Sequence, residues 1–266
     1  MLMLSREKFI RSPVIIKKEL LCLFRKEDEL IIFDIGACEA EDSIRYSKLF
    51  PKATIFAFEP RPDNFTKAKE LINQYQCKDS IVLEKLALSN ANGVADFFVS
   101  EGEPNELKND EHWNYGNKSS SLLPPSDNIK NHTAWLQFKK KIPVKTLRLD
   151  DYVAKNEIQS IDFLHLDVQG AELMVLEGAG IFLEKIKLIW LEVETIELYN
   201  GQPLKNDVEQ FMTKAKFINI IDMVDNVSGD QLYVNQNYFN EKEINSLLSL
   251  NKRKRLLHWL QSFFTK

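Results

Sequence analysis

Short, dense apolar runs recur along this chain, and helix-periodic stretches separate them. Leu30–Ile35 and Thr54–Phe58 are apolar almost without interruption, as expected of strands buried on both faces. Ile81–Leu88, Pro143–Leu149, Ile161–Leu166, Lys187–Val193 and Phe217–Ile221 read the same way. Leu232–Val234 reads as a last short strand after an Asn226–Gly229 turn. Ahead of the first run, Ile16, Leu20, Leu23 and Phe24 fall at offsets 0, 4, 7 and 8, which predicts a helix within residues 14–26. A polar helix is predicted between the first two runs, ending near Phe50-Pro51. Pro62 suits the first turn of another, with Phe65, Ala68, Ile72 and Tyr75 as its buried stripe. A short helix after Leu166, closed by Gly178 or Gly180, and one over residues 204–215 complete the pattern. Strands alternating with helices predict a parallel α/β sheet wound on both faces. An α+β fold with an antiparallel half is the alternative.

Between about residues 100 and 142 the pattern dissolves into Gly, Pro, Asn and Ser punctuation. Such a stretch is a functional loop or lid, or is disordered. Its His112, Trp113 and Tyr115 are either a lid over an acceptor or aromatics that anchor the loop. Ser119–Ser121 either bind substrate or form turns. At the C-terminus, Lys252-Arg253-Lys254-Arg255 precedes Leu256, Leu260, Phe263 and Phe264. This basic amphipathic helix either touches an anionic membrane or a partner enzyme, or docks on the domain with its charges in water. The expected organisation is a helical extension over 1–29, a core domain over 30–235 with the loop or lid inserted, and the amphipathic helix over 236–266.

Composition narrows the class. The 266 residues are 44% apolar and 28% charged, an ordinary globular balance. No apolar run approaches the roughly 20 residues that span a bilayer. A net charge of −4 argues against broad nucleic-acid binding. Cys22, Cys38 and Cys77 form no CxxC pair and are odd in number, so a reducing compartment fits. The N-terminal apolar stretches are cut by Arg6, Glu7, Lys8 and Arg11, unlike a signal peptide. The expected location is the cytoplasm.

In an open α/β sheet, ligands bind beyond the carboxyl ends of the strands. Four apolar runs end there in an acid: Asp34, Glu59, Asp167 and Glu194. Such acids either cap the following helices or gather round a ligand with hydroxyls or positive charge. Gly36 opens the first strand-to-helix turn, and Glu59 follows it by 23 positions, where an acid can hold both hydroxyls of a ribose. The dinucleotide glycines are missing: Cys38 and Glu41 stand in their places. Glu39, Glu41 and Asp42 would also repel a pyrophosphate, although Glu41 and Asp42 equally serve the helix dipole. A nicotinamide oxidoreductase is thereby disfavoured, and a phosphate-free, cationic nucleoside cofactor, S-adenosylmethionine, fits better. No metal is expected, since paired acids here lack a specific His/Asp spacing.

These residues resemble the FkbM family of S-adenosylmethionine-dependent methyltransferases. Phe33-Asp34-Ile35-Gly36-Ala37 is similar to the family's first motif, and Ala57-Phe58-Glu59-Pro60 to its second-strand acid. Leu86-Ala87-Leu88-Ser89 with Gly93, Ser119–Leu122 and Thr146–Asp150 match later elements. The most specific match is Ile161–Glu172 followed by Leu176-Glu177-Gly178-Ala179. His165 departs from a common lysine, Gln169 from a common glutamate and Ala40 from a common glycine.

The resemblance implies a class I, Rossmann-like methyltransferase fold: a doubly wound, mostly parallel sheet with a C-terminal antiparallel strand. It places Asp34, Gly36, Ala37 and Cys38 near the methionine of the cofactor and Glu59 on its ribose. Lys85, Leu86 and Ala87 would border the adenine, with Phe58 or Pro60 against its face. Asp167 would stand where the methyl group is presented. His165 shares a strand face with Asp167, so it is either a base ordered by Asp167 or an interior histidine; Glu194 is the alternative base. The implied acceptor is a hydroxyl of a sugar, glycan or small molecule. The altered residues leave open a non-catalytic binding or scaffold module on the same fold.

Overall fold

In the computed structural model the described residues are 5–104 and 113–250. The chain enters through helix α1 (Arg6–Arg11), whose Ser5 side chain accepts from the Lys8 amide, and helix α2 (Lys17–Leu23). Strand β1 (Ile31–Ile35), helix α3 (Glu41–Leu49), strand β2 (Thr54–Phe58), helix α4 (Pro62–Gln74) and strand β3 (Ile81–Glu84) follow. Then come β4 (Ala87–Ser89), β5 (Gly93–Glu101), α5 (Asn128–His132), β6 (Gln137–Arg148) and α6 (Leu149–Lys155). The second half adds β7 (Ile161–Leu166), α7 (Glu172–Gly178), β8 (Ile186–Glu194), α8 (Lys205–Lys214), β9 (Phe217–Asp222) and β10 (Ser228–Asn235).

Seven strands form the main sheet in the order β3-β2-β1-β7-β8-β10-β9. All neighbouring pairs from β3 to β8 are parallel, and β10 runs antiparallel to both β8 and β9. This is the doubly wound class I methyltransferase topology with one reversed strand near the C-terminus. The order switches direction between β1 and β7, and there the crossover helices leave the sheet on opposite faces and open a crevice at the strand tips.

The buried side chains fall into two layers, as alternation along each strand requires. On one face Ile32, Phe163, Leu188, Trp190 and Leu232 meet Ile10, Leu20, Ile44 and Phe50. On the other, Phe33, Ile35, Leu164, Leu166 and Leu191 meet Tyr152, Val175, Leu176, Val208 and Met212. The predicted stripe of α4 is partly displaced: Ala68 and Ile72 are buried, with Asn64 and Leu71, while Phe65 and Tyr75 are half-buried.

The segment expected to lack a pattern is shorter than its sequence implied. β5 runs to Glu101 and β6 starts at Gln137, and with β4 they form a second, three-stranded sheet. α1 is a further element that periodicity did not show. Residues 241–250 are helical, and Leu247 is buried against the first layer. His112 and the basic amphipathic stretch from Lys252 to Phe264 lie outside the described residues. No helix among the described residues is long and apolar enough to cross a membrane.

Candidate active site

The parallel register brings the sequence-predicted acids to one edge. Ile35 pairs with Phe58 on one side and Leu166 on the other, so Gly36, Glu59 and Asp167 emerge side by side. The Gly36 and Ala37 amides both donate to the Phe58 carbonyl, at 3.1 and 3.0 Å, and the Asp167 amide donates to Ile35 at 3.0 Å. Gly36 has φ +88°, and a Cβ there would lie 1.8 Å from the Asp167 carbonyl oxygen. Glycine is required by both conformation and contact: a side chain would wedge the tips of β1 and β7 apart. Ala40 takes a left-handed φ of 63° at the start of α3. That conformation explains why a glycine suits this position.

A cleft of about 520 Å³, counting its open mouth, lies over these tips. Of the residues expected to hold the cofactor, Gly36, Cys38, Glu59, Pro60, Leu86 and Ala87 line it, and so does Asp167. Its apolar part is made by Ile35, Phe58, Leu86, Ala87, Leu88, Phe97 and Leu122. Glu59 is 4% exposed and accepts from the Arg61 amide at 2.7 Å. Burial pushes its carboxyl up to about 8, against the backbone N–H groups of Arg61 and Cys38, which pull it down.

The remaining predicted residues do not line the cleft. Asp34 is buried on the α3 face and accepts from the Ser43 hydroxyl. Ala37 is buried in the first core layer. Lys85 is exposed, with its ammonium 5.9 Å from the Phe65 ring centroid. Glu194 ends β8 as a buried acid; burial and then the Asp167 charge raise it to about 7.

His165 requires a correction of its expected partner. Strand register sets it opposite Asp34, and its Nδ1 lies 3.2 Å from Asp34 Oδ1. The Tyr46 ring closes over it at 5.8 Å. Burial alone would lower its pKa, but Asp34, with Asp42 and Asp167 farther out, raises it to about 9. Its pairing with Asp34 favours the imidazolium, which has no free basic nitrogen. The folded pKa lies above the ordinary 6.5, so the stabilisation is complete below pH 6.5 and is lost as pH rises through about 9. Its size is on the order of 3 kcal/mol. The expected result for His165→Gln is a stability deficit in urea that is largest near pH 6 and shrinks towards pH 9.5.

Gln169 supplies what the single-strand reading lacked. Its Nε2 donates to Asp167 Oδ1 at 2.8 Å and to Glu192 Oε2 at 2.6 Å, and its Oε1 lies 3.1 Å from the Tyr199 hydroxyl. A neutral amide thus bridges two acids at this edge of the sheet. Burial, then Asp167, Glu194 and Glu172, hold Glu192 well above the usual carboxylate range. Among the described residues no group of three or more His, Cys, Asp or Glu is disposed to hold a metal.

The strap after residue 113 closes the other wall. Trp113 donates its Nε1 to Glu41 at 2.8 Å and packs 5.4 Å from the Phe9 ring, so it serves as an anchor. The Ser120 hydroxyl accepts from the Ser100 amide at 3.0 Å, and the Ser121 hydroxyl donates to the Gln169 carbonyl at 2.7 Å. Asn64, Phe97, Asn117 and Lys118 also line the cleft, and sequence reasoning missed all four. Phe97 alternates with Val99 on β5, a faint strand signal; the other three carry none.

The Methyltransferase FkbM domain matches residues 34–218. The chain belongs to the FkbM methyltransferase family. It is 33% identical over 195 residues to the 2-O-methyltransferase NoeI of Sinorhizobium fredii, covering 73% of this chain and 75% of that one. It is 24% identical over 196 residues to the hexuronic acid methyltransferase AglP of Haloferax volcanii, covering 74% and 66%. A solved FkbM methyltransferase from Methylobacillus flagellatus KT aligns at 12% identity with a TM-score of 0.47, over 86% of this chain and 50% of that one.

The cleft of this FkbM methyltransferase has donor and acceptor groups that fit S-adenosylmethionine. It offers an apolar slot and two acids, Glu59 and Asp167, able to accept from hydroxyls or to face positive charge.

Proposed function

We propose that this enzyme methylates a hydroxyl of a sugar, in a free or glycan-linked acceptor. The observation that carries the chemistry is Asp167, which lines the cofactor cleft and is bonded to Gln169. The sugar is supported by the two relatives, which are named for 2-O-methylation and for hexuronic acid methylation. The three free cysteines support a reducing, cytoplasmic setting.

Glu59 takes the ribose, and Gly36, Ala37 and Cys38 shape the turn that faces the methionine. Phe58, Leu86 and Ala87 enclose the base. The bound cofactor supplies a methyl group on a sulfonium, which leaves as the neutral thioether when the acceptor oxygen attacks in line. Asp167 orients that hydroxyl and takes its proton as the O–C bond forms. His165 holds Asp34 and the α3 face from beneath, and Glu194 lies buried at the end of β8. The charge on Asp167 favours a neutral sugar over a uronate, because a second anion beside that carboxylate in the cleft meets repulsion.

The test uses isotopically labelled S-adenosylmethionine with a panel of neutral, amino and uronic sugars, free and glycosidically linked, read by mass spectrometry. Label on a hydroxyl of a neutral sugar is the expected outcome. Transfer only to amines or to uronates would remove the reading.

A further inference from the structure

The ionic groups that line the cleft are unequal in number: Glu59, Asp167 and a single cation among the described residues, Lys118. Lys118 belongs to no strand or helix. It sits on the strap, and the strap is fixed around it from several directions. Asn117 donates its amide to Glu39 Oε1 at 3.0 Å and to Asn64 Oδ1 at 2.8 Å. Lys118 itself reaches Glu41 Oε1 at 2.9 Å, with the Trp113 ring centroid 4.4 Å away. Its ammonium also lies 4.0 Å from Cys38 Sγ, beside the turn that follows Gly36.

Glu41 does not exhaust this ammonium. A lysine carries three N–H donors, and the Glu41 carboxylate is already shared: Oε1 also takes the Trp113 indole, and Oε2 takes the Glu39 amide. The Lys118 side chain lines the cleft and is 30% exposed, so a donor not held by Glu41 can face the cleft, where an anionic group would take it as a charge-assisted hydrogen bond. S-adenosylmethionine has one anionic group, its amino-acid carboxylate, against two cationic centres. With the base in the apolar slot and the ribose on Glu59, the amino acid is the part left to lie along the Gly36–Cys38 turn, where Lys118 stands.

We propose that Lys118 recognises the methionine carboxylate of the cofactor, so that the strap reads the cofactor's charge as well as covering it. This rests on the cofactor placement proposed above and adds a residue to it. Lys118 keeps one N–H on Glu41 and gives another to the ligand. The strap then has a reason to dock on α3 through Trp113 and Asn117: those contacts set the height of the ammonium over the turn.

The test compares two ligands by calorimetry on the full chain: S-adenosylhomocysteine and its decarboxylated analogue, adenosylthiopropylamine, which lacks only the carboxylate. The wild type is expected to prefer the intact ligand by roughly ten- to a hundredfold, the range of a hydrogen bond to a charged group. Lys118→Gln should erase most of that preference by weakening the intact ligand alone, and Lys118→Arg should keep most of it. A wild-type ratio near one overturns the assignment without any variant. So does a Lys118→Gln protein that keeps the full ratio, or one that weakens both ligands in parallel, since then Lys118 only anchors the strap. A wild type that binds neither ligand removes the cofactor placement itself, and this assignment with it.

Discussion

Glu59→Ala is expected to weaken S-adenosylhomocysteine binding by at least roughly a hundredfold, with the fold intact. Two hydroxyls on one carboxylate make two charge-assisted hydrogen bonds, each about 1.5–3 kcal/mol. The free protein already holds this acid in an uncomfortable state, because burial pushes it up to about 8. Hydroxyl donors favour the ionised form, so the bound pKa falls below that of the free site, and binding releases a proton. The sign follows: affinity rises as pH climbs through the window up to about 8 and then levels. Calorimetry of the wild type and of Glu59→Gln from pH 6 to 9 checks this, and the variant should show a flat profile. An unchanged affinity in Glu59→Ala would mean that the ribose lies elsewhere.

The same residue shows how much of this protein could be read without coordinates. β1, β2, β7 and β8 are each covered on both faces, so their sequences are mostly apolar, and β2 and β7 run straight into Glu59 and Asp167. Glu59 and Asp167 were legible for that reason. The second sheet was hidden for the opposite reason. β6 exposes Lys139, Lys140 and Lys141 to solvent and carries Pro143, so its pattern is polar although its pairing with β5 is long. Partnerships across strands were hidden as well. Along one strand, His165 shares a face with Asp167, and that is all a single strand can tell. Which residue lies opposite depends on register, and register gives it Asp34. Asn117 and Lys118 were illegible in a further sense. Their roles come from where a strap without periodicity docks, through Trp113 on Glu41 and Asn117 on Glu39. Strand ends belong to local sequence, while the cleft's second wall belongs to contacts between residues 72 and 78 positions apart in the chain.

Asp167→Asn is expected to lower kcat by roughly a hundred- to ten-thousandfold, the range for a lost general base, while S-adenosylhomocysteine binds nearly as before. The other acids and bases at this edge are each unsuited to take the proton. His165 is favoured as the imidazolium by its pairing with Asp34 and lies outside the cleft lining. Burial and neighbouring carboxylates keep Glu192 and Glu172 well above the ordinary carboxylate range, and the backbone amides of Val168 and Gly170 already occupy Glu172. Glu194 is buried behind them. Asp167 alone among these groups lines the cleft, and Gln169 holds it by one oxygen, Oδ1. That leaves Oδ2 for the acceptor hydroxyl. Asparagine keeps the shape and one hydrogen bond to Gln169 but is no base, so chemistry should fail where binding survives. Single-turnover methyl transfer measured beside cofactor affinity separates the two. A variant with near-normal single-turnover rates would move the proton to another acceptor at this edge, and Glu194 would then be the group to replace next.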